Sequence, residues 1–453
     1  LTALIFTVYA SNDLYNSFRV SNAYYVPSVF NELGFPYCFC HQFTTYPVDK
    51  PEGFSKSEAA GWETGGQTGL GKDVSVILVM NEAFSDLTDQ PMFNWTEETD
   101  PLPNLHALQK DPHTLSGHIV VPGFAGGTAN TEFDALTGMQ TNALSVTATS
   151  AMRVVNRNLD SLFRVFGADG YRTSFYHPGD AWFYNRENVY RWLGAEHEVF
   201  AKDMKDLEYK GRWVTDDYMA GLIEEEFETA VSEGRPLFNY TTTIQNHMSY
   251  TAEKYGDYVC PEVETTAELS PEIQTAVNVY AKGIRDANAM LEDLTEFYSE
   301  QSEPVLLVFF GDHLPYLGDN RQGYAELGLP AANVAGGEDP FAAYTAPVLF
   351  WCNDAAAEAL DFANAIEALD LPADGRISAC YLGAAVLELT GRGEVSPWFA
   401  FLNEMRRELP VLHNGFYESA DGEITTEPTA EEAALVSRMR CWAYYKLRYG
   451  VVK

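Results

Sequence analysis

The segment Val305–Pro315 reads VLLVFFGDHLP: six apolar residues followed by a glycine, a carboxylate and an imidazole. A run this short and this uniformly apolar is typical of a strand buried on both faces, as in a parallel sheet. In open α/β folds, ligands collect beyond the carboxyl ends of the strands. The sequence therefore predicts Asp312 and His313 as site residues at the end of a central strand.

Three other segments predict further strands. The run Val74–Met80 is as apolar as the first and ends two residues before Glu82. Leu237–Gln245 and Ala346–Trp351 are rich in β-branched and aromatic residues, which favour strands. These segments alternate with helical patterns along the chain, which indicates a parallel sheet.

Two segments show apolar residues at helical spacing, Asp217–Phe227 and Ile273–Tyr298. The second allows either coiled-coil association or packing on the sheet, and the strand–helix alternation favours packing. The predicted fold class is α/β, with a central mostly parallel sheet flanked by helices and a small C-terminal subdomain. We predict a leading segment at 1–60, a catalytic domain at 61–395 and a C-terminal helical subdomain at 396–453.

The segment Gly126–Phe133 reads GGTANTEF and places a hydroxyl behind two glycines, where the backbone can bend and let a substrate oxyanion approach. Thr128, Glu82 and the pair Asp312 and His313 offer three oxygen donors and one imidazole. Such a set favours Mn²⁺ or Mg²⁺, whereas thiolates would favour zinc. Together these residues predict a metal-activated threonine nucleophile.

Each of these residues also has a purely structural interpretation. Glu82 after a strand is a common helix-capping or turn residue. Thr128 behind two glycines is a common turn residue, and an Asp-His pair before a proline turn is often only solvated. Their order along the chain is what favours a shared site.

Taken in order, the segments NEAF at 81–84, GGTANTEF at 126–133, Asn246-His247 and FGDHLP at 310–315 resemble a known family. They are similar to the extracellular catalytic domain of lipoteichoic acid synthase-type phosphoglycerol transferases, in the sulfatase-like branch of the alkaline phosphatase superfamily. The resemblance covers roughly residues 60 to 395. It implies that Glu82, Thr128, Asp312 and His313 hold one Mn²⁺ or Mg²⁺, with Thr128 also the nucleophile.

The segment from His177 to Asn188 resembles the headgroup-binding loop of that family. The resemblance implies that His177, Asp180, Tyr184 and Arg186 contact the substrate. Arg186 corresponds to a phosphate clamp, because a guanidinium pairs bidentately with phosphate oxygens. Tyr184 stands where relatives have a tryptophan, and the loop acid is displaced by one residue to Asp180.

His247 follows the predicted strand at 237–245 and corresponds to a family histidine that touches the substrate phosphate. An imidazole with a pKa near neutrality is suited to protonate the leaving oxygen. A turn histidine is the alternative interpretation. The chain has no Cys-x-Pro-x-Arg segment, from which type I sulfatases make their formylglycine nucleophile, and this disfavours sulfate ester hydrolysis by that route.

The net charge of −36 disfavours binding to nucleic acid and electrostatic docking on anionic lipid. No segment reaches the ~18 consecutive apolar residues that span a bilayer. The chain opens on the short apolar segment Leu1–Ala10, and the resemblance implies a preceding membrane region that tethers the domain to the extracellular face of a bacterial membrane.

The resemblance implies transfer of glycerophosphate from a phosphatidylglycerol-type lipid to a hydroxyl acceptor, either polyglycerophosphate or a glycan. Because the headgroup loop departs from the family pattern, a phosphoethanolamine transferase or a phosphodiester or sulfate ester hydrolase remains an alternative. A catalytically inactive cell-envelope binding domain is the alternative from a different class.

Overall fold

The computed structural model describes residues 14, 17–18, 26–42, 48–67, 71–88, 90–144, 150–332 and 339–450. The opening segment Leu1–Ala10, which we expect to follow a membrane region, lies outside the described residues. None of the described helices combines the length and the apolar character needed to cross a membrane.

The strands range from two to eight residues in length. They are β1 (Ser75–Asn81), β2 (Thr114–Val120), β3 (Arg172–His177), β4 (His197–Phe200), β5 (Tyr209–Lys210), β6 (Trp213–Val214), β7 (Leu237–Thr242), β8 (Val305–Gly311), β9 (Thr345–Cys352), β10 (Arg376–Ser378), β11 (Val411–His413), β12 (Phe416–Glu418) and β13 (Ile424–Thr425).

Eight of the described strands form one sheet, in the order β10-β2-β9-β8-β1-β7-β3-β4. Neighbours run parallel except at β9, which is antiparallel to both β2 and β8. The predicted α/β class with a mostly parallel central sheet is confirmed. The four predicted strands are β1, β7, β8 and β9, and their bounds differ from the prediction by at most three residues.

Helices cover both faces of the sheet. They are α1 (Val26–Leu33), α2 (Phe35–Gln42), α3 (Lys56–Trp62), α4 (Pro103–Leu108), α5 (Thr128–Thr137), α6 (Leu162–Ala168), α7 (Arg186–Leu193), α8 (Asp216–Ser232), α9 (Pro271–Ser299), α10 (Gln322–Glu326), α11 (Asp354–Leu360), α12 (Phe362–Ala368), α13 (Ala379–Leu389), α14 (Pro397–Glu408) and α15 (Ala430–Arg448).

Strand β1 is buried along its whole length because both faces of the sheet are covered. Its side chains alternate between two apolar clusters, as the period of a strand requires. Val76, Leu78 and Met80 pack with side chains of α5, α13 and α14 on one face. Ile77 and Val79 pack with side chains of α8 and α9 on the other. The helix predicted over Ile273–Tyr298 is α9, and its apolar stripe packs against this second face.

Residues 396–453 contain α14, α15 and a small antiparallel sheet of β11, β12 and β13. Trp398 of α14 and Trp442 of α15 belong to the same apolar cluster as the central sheet, with ring centroids 5.3 Å apart. The C-terminal elements therefore cover one face of the catalytic core. The boundaries of the three predicted segments stay a prediction.

Asp134 is a buried carboxyl near the end of α5 that gives the fold a pH dependence. Its Oδ1 accepts hydrogen bonds from the backbone N and the Oγ1 of Thr141, at 2.8 and 2.6 Å. Burial raises the pKa of Asp134 to about 8, whereas the unfolded chain titrates near ~4. The folded state therefore binds the proton more tightly, and this group lowers stability as pH rises from 4 to 8.

We expect Asp134→Asn to flatten the fall in melting temperature between pH 5 and pH 8, because the amide keeps an acceptor oxygen and carries no charge. Circular dichroism melts at both pH values measure this difference. The matched control is Asp421→Asn, which removes an exposed carboxyl whose pKa is lowered by the Ser419 hydroxyl. The control should keep the wild-type slope; an equal slope in Asp134→Asn would contradict the assignment.

Candidate active site

Two candidate metal ligands directly follow two neighbouring strands, at the same level of the sheet. Strands β1 and β8 are parallel, and Asn81 lies opposite Gly311 at their carboxyl ends. Glu82 and Asp312 are the next residues in each chain segment. Their side chains are 4% and 0% exposed, so the sheet register itself brings two carboxylates together inside the protein.

His313 completes this carboxylate cluster. Its Nε2 lies 3.1 Å from Oδ2 of Asp312 and 3.6 Å from Oε1 of Glu82. Its Nδ1 lies 3.0 Å from the carbonyl oxygen of Leu314. Because a carbonyl only accepts, Nδ1 carries the hydrogen, and Nε2 is the ring nitrogen that faces the carboxylates. One ligand atom from each residue lies within 4.8 Å of the others, a spacing that can hold a metal ion.

Backbone and hydroxyl groups fix the carboxylate segments in place. The backbone N of Ala83 donates to Oδ1 of Asp312 at 2.8 Å, and the backbone N of Glu82 donates to Oγ1 of Thr243 at 3.1 Å. A Cβ atom on Gly311 would lie 2.0 Å from a backbone oxygen of the neighbouring segment. A glycine is therefore required where the two strand ends approach each other.

Thr128 is the first residue of α5, at the end of the loop that follows β2. Gly126 and Gly127 have φ angles of 148° and 96°, which an L side chain rarely adopts. One turn further, Thr131 Oγ1 donates to the carbonyl oxygen of Asp312 at 2.8 Å. The start of α5 is thereby fastened to the end of β8, and the positive end of the helix dipole lies at Thr128.

The charge of this cluster fits a divalent cation. Burial, followed by the negative charge of Asp312, raises the pKa of Glu82 to about 8. Oδ2 of Asp312 is buried and accepts no hydrogen bond from the described residues, although it lies close to His313. Two buried carboxylates, one of them with an unsatisfied oxygen, and one imidazole nitrogen form a donor set that a cation would satisfy.

The predicted headgroup loop begins at the end of β3 with His177, which is 4% exposed. Its Nδ1 donates to the carbonyl oxygen of Thr242 at 3.0 Å. Burial, then the charge of Arg186, lowers the pKa of His177 well below its usual value, so the ring is neutral. A Cβ on Gly179 would lie 2.4 Å from its Nε2, and Asp180 beyond it is exposed.

Arg186 lies in a buried ion pair that the sequence did not predict. It is 2% exposed, and its Nε and Nη2 donate to Glu132 at 3.1 and 2.5 Å. The hydroxyl of Tyr190 donates to the same carboxylate at 2.6 Å. The ring of Tyr184 lies 5.1 Å from the guanidinium carbon. Because Glu132 is one helical turn after Thr128 on α5, it fixes the headgroup loop relative to the candidate nucleophile.

We expect Glu132→Gln to destabilise the protein by about 3 kcal/mol, because it leaves the Arg186 guanidinium buried without a full counter-charge. Thermal and denaturant unfolding measure this change. The matched control is Glu233→Gln, which breaks a partly exposed pair with Arg172 and should cost less than about 1 kcal/mol. Equal effects of the two substitutions would contradict a structural role for the buried pair.

His247 lies in the segment that follows β7. Its Nδ1 donates to the carbonyl oxygen of Met248 at 2.8 Å, which leaves the lone pair on Nε2. Burial is the main cause that lowers the pKa of His247; the positive charges of Lys254 and Arg212 lower it further, and Asp312 opposes them. The strand ends bring His177, His247 and the carboxylate cluster to one edge of the sheet.

Three residues near the site were missed by sequence reasoning: Glu132, Tyr190 and Lys254. Glu132 stands within the GGTANTEF segment, four residues after Thr128, and this helical spacing was the available signal. Tyr190 and Lys254 carry no local signal. Lys254 is 7% exposed, and its charge favours the ionised form of Glu82.

Two curated proteins of Rhizobium meliloti are similar to this chain. One is provisionally named a cyclic beta-1,2-glucan modification protein and is 29% identical over 290 residues, 64% of this chain and 43% of the relative. The other, the capsular polysaccharide biosynthesis protein RkpI, is 27% identical over 246 residues, 53% of this chain and 41% of the relative. The chain thus spans less than half the length of these relatives.

Two solved structures share the fold over most of the chain. The Streptococcus pyogenes phosphoglycerol transferase GacH, in complex with sn-glycerol-1-phosphate, has a TM-score of 0.65 and 20% identity. The alignment covers 88% of this chain and 94% of that one. The lipoteichoic acid synthase LtaP from Listeria monocytogenes has a TM-score of 0.57 and 17% identity, with coverages of 86% and 97%. At these identities the similarity shows the fold.

The family model of sulfatases matches residues 75–392. The match runs from the first residue of β1 to just beyond α13, so it includes every candidate site residue named above. The resemblance stated from the sequence is confirmed for the family and the fold. This chain belongs to the sulfatase family and has the alkaline phosphatase-like fold of its structural relatives.

Proposed function

We propose that this chain is a metal-dependent phosphoglycerol transferase with Thr128 as its nucleophile. The observation that carries the proposal is the position of Thr128 at the start of α5, which is fastened through Thr131 to the end of β8 beside Glu82, Asp312 and His313. A hydroxyl at a helix N-terminus, next to a buried acidic cluster, is suited to attack phosphorus.

The ligand set would be Glu82, Asp312 and His313 together with Thr128, and Mn²⁺ or Mg²⁺ suits these oxygen-rich donors. When bound, the cation supplies positive charge that stabilises the Thr128 alkoxide and neutralises phosphoryl oxygens. The N-terminal dipole of α5 acts in the same direction. The chain lacks the Cys-x-Pro-x-Arg motif from which type I sulfatases make their formylglycine nucleophile. We therefore propose Thr128 as the nucleophile of this member of the sulfatase family.

In the first step the Thr128 oxygen forms a bond to phosphorus, and the bond between phosphorus and the diacylglycerol oxygen breaks. Protonated His247 gives its Nε2 proton to that leaving oxygen. The lowered pKa of His247 makes its imidazolium a stronger acid for this transfer. The product is a phosphoglyceryl ester on Thr128 and a neutral diacylglycerol.

In the second step an acceptor hydroxyl attacks the phosphorus of that ester and gives its proton to Nε2 of His247. The bond between phosphorus and Thr128 breaks, and the threonine leaves as its alkoxide. The acceptor proton has then replaced the one lost to diacylglycerol, so the cycle closes without a further acid or base. The Nδ1 hydrogen bond to Met248 keeps Nε2 as the reacting nitrogen in both steps.

The headgroup loop would bind the glycerophosphate. Arg186 already gives Nε and Nη2 to Glu132, so its proposed phosphate contact is through Nη1. Tyr184 stacks near the same guanidinium and would face the glycerol, with His177 and the exposed Asp180 as polar contacts. This contact differs from the bidentate pairing with phosphate that the resemblance implies, because two nitrogens of the guanidinium are already bonded to Glu132 before the substrate binds.

An anionic glycerophospholipid is the proposed donor, supported by the fold shared with the phosphoglycerol transferase GacH and the lipoteichoic acid synthase LtaP. A glycan hydroxyl is the proposed acceptor, ahead of polyglycerophosphate, because the Rhizobium relatives are named for a glucan and a capsular polysaccharide. The location that we propose for this reaction is the extracellular face of a bacterial membrane, with the domain anchored to that membrane.

The experiment that tests the proposal is mass spectrometry of the Thr128 peptide after incubation with Mn²⁺ and phosphatidylglycerol. A glycerophosphate adduct on Thr128, absent in Thr128→Ala, is the expected result. An adduct formed only from phosphatidylethanolamine would replace the donor with the ethanolamine lipid. Absence of any adduct, in protein that still cleaves bis(4-nitrophenyl) phosphate, would overturn the lipid-transferase proposal.

A further inference from the structure

Lys254 is a buried lysine in the segment after β7, seven residues beyond His247. Its side chain is enclosed by aromatic rings, with Nζ 5.6 Å from the ring centre of Trp213, 5.6 Å from that of Tyr250 and 5.2 Å from that of Tyr255. A lysine is rarely buried without a partner that repays its desolvation. The partner here is a main-chain oxygen.

Nζ of Lys254 donates a hydrogen bond to the carbonyl oxygen of His247. The ring of the same histidine packs against Trp213, with ring centroids 5.0 Å apart and planes tilted by 42°. Trp213 belongs to the short hairpin of β5 and β6, so Lys254 links that hairpin to the segment that carries His247. The ring, the main chain and the Nδ1 atom of His247 are thus each fixed by a different contact.

The positive charge of Lys254 also reaches the acidic side of the site. It favours the ionised forms of Glu82 and Asp216. Burial is the main cause that lowers the pKa of Lys254 itself, to about 8. The chain has a net charge of −36, and most of its cations can serve at the surface. A lysine that is buried next to the site and bonded to the main chain of His247 requires another explanation.

We infer that Lys254 is a positioning residue: with Trp213 it fixes the segment that presents Nε2 of His247 to the oxygen that is protonated. Lys254 itself transfers no proton and contacts no substrate. This inference rests on the proposed function for the identity of the reaction, but not for the geometry around His247. Its loss should therefore affect proton transfer more than attack on phosphorus.

The first test compares two substrates in Lys254→Met, which keeps a long unbranched side chain and removes the charge and the donor. The diacylglycerol of phosphatidylglycerol needs a proton to leave, whereas the nitrophenolate of bis(4-nitrophenyl) phosphate leaves without one. We expect kcat for the lipid to fall about 10-fold or more, and the first-turnover burst of nitrophenolate, which needs no proton transfer, to fall by less than about 3-fold. Lys254→Arg should recover much of the lipid activity.

A double-mutant cycle separates positioning from direct catalysis. If Lys254 acts through His247, the double variant Lys254→Met/His247→Ala should be no slower on the lipid than His247→Ala alone. Multiplied effects, or equal losses on both substrates, would overturn the inference. The matched control is Lys210→Met, which removes another lysine 5.6 Å from the ring of Tyr255 and should leave both activities unchanged.

A second test does not depend on turnover. Long-range ¹H–¹⁵N NMR of the imidazole reports which nitrogen of His247 carries hydrogen, and the wild type should show the Nδ1–H form that donates to Met248. Lys254→Met should shift the ring to a mixture of the two forms, while Lys210→Met should not. An unchanged His247 ring would overturn the inference even if phosphatidylglycerol proves not to be the donor.

Discussion

Replacing Thr128 by alanine is expected to lower turnover by about a thousand-fold or more, because no other hydroxyl at the start of α5 can take its place. Thr131, one turn further, already donates to the carbonyl oxygen of Asp312. The folded structure should persist, since alanine is smaller than threonine and favours a helix. Lipid turnover and far-ultraviolet circular dichroism measure the two expectations.

Thr128→Ser is the matched variant for this prediction. It keeps the hydroxyl and removes one methyl group, so it should retain measurable turnover and form the same covalent adduct. Full activity in Thr128→Ala would remove Thr128 from the mechanism.

Glu82→Gln is expected to weaken Mn²⁺ binding by more than about 100-fold, because it removes one of the two buried carboxylates that follow β1 and β8. Wild-type protein should gain about 2.7 kcal/mol of stability when the free ion is at 100 times its dissociation constant. The variant should show almost no such gain. Calorimetric titration and thermal melts with and without Mn²⁺ measure both effects.

Asp86→Asn is the control for the metal prediction. Asp86 lies four residues after Glu82, but its carboxylate accepts from Thr88 and approaches the ring of His106. Its substitution should leave Mn²⁺ affinity near the wild-type value. An equal loss of affinity in both variants would mean that the ion binds the acidic surface generally and not the cluster at the sheet edge.

The central strands and the metal-ligand candidates could be predicted from sequence because their signals are local. The runs that became β1 and β8 are apolar throughout, which is a strong indication of a strand buried on both faces. A residue directly after such a strand is placed by the strand itself. Glu82, Asp312 and His313 could therefore be predicted as neighbours once both strands were assigned to one parallel sheet.

The antiparallel direction of β9 could not be predicted, because a buried strand has the same apolar pattern in either direction. The small sheet of β11, β12 and β13 was also missed. Its strands have three, three and two residues, which is too short for an alternating pattern to be recognised. The C-terminal part was accordingly predicted to be helical only.

The contacts around Arg186 were missed for a different reason. Arg186 and Glu132 are 54 residues apart in the chain, so no spacing rule links them. Arg186 was predicted as a phosphate clamp from the resemblance of its loop to the family's headgroup-binding loop, and in the structure two of its nitrogens donate to Glu132. The sequence around Lys254 is typical of an exposed loop. Its burial, in part against the ring of Trp213 from the separate β5–β6 hairpin, is visible only in the structure.

The hydrogen bonds that hold the carboxylate segments have a consequence for the kinetics of metal exchange. These segments are held by hydrogen bonds that involve Ala83, Thr243 and Thr131 and that do not depend on a bound cation. Metal uptake then requires dehydration of the ion and diffusion into a finished pocket, unlike small domains that fold only around their metal. Chelation and reloading should be rapid, reversible cycles of a protein that stays folded throughout.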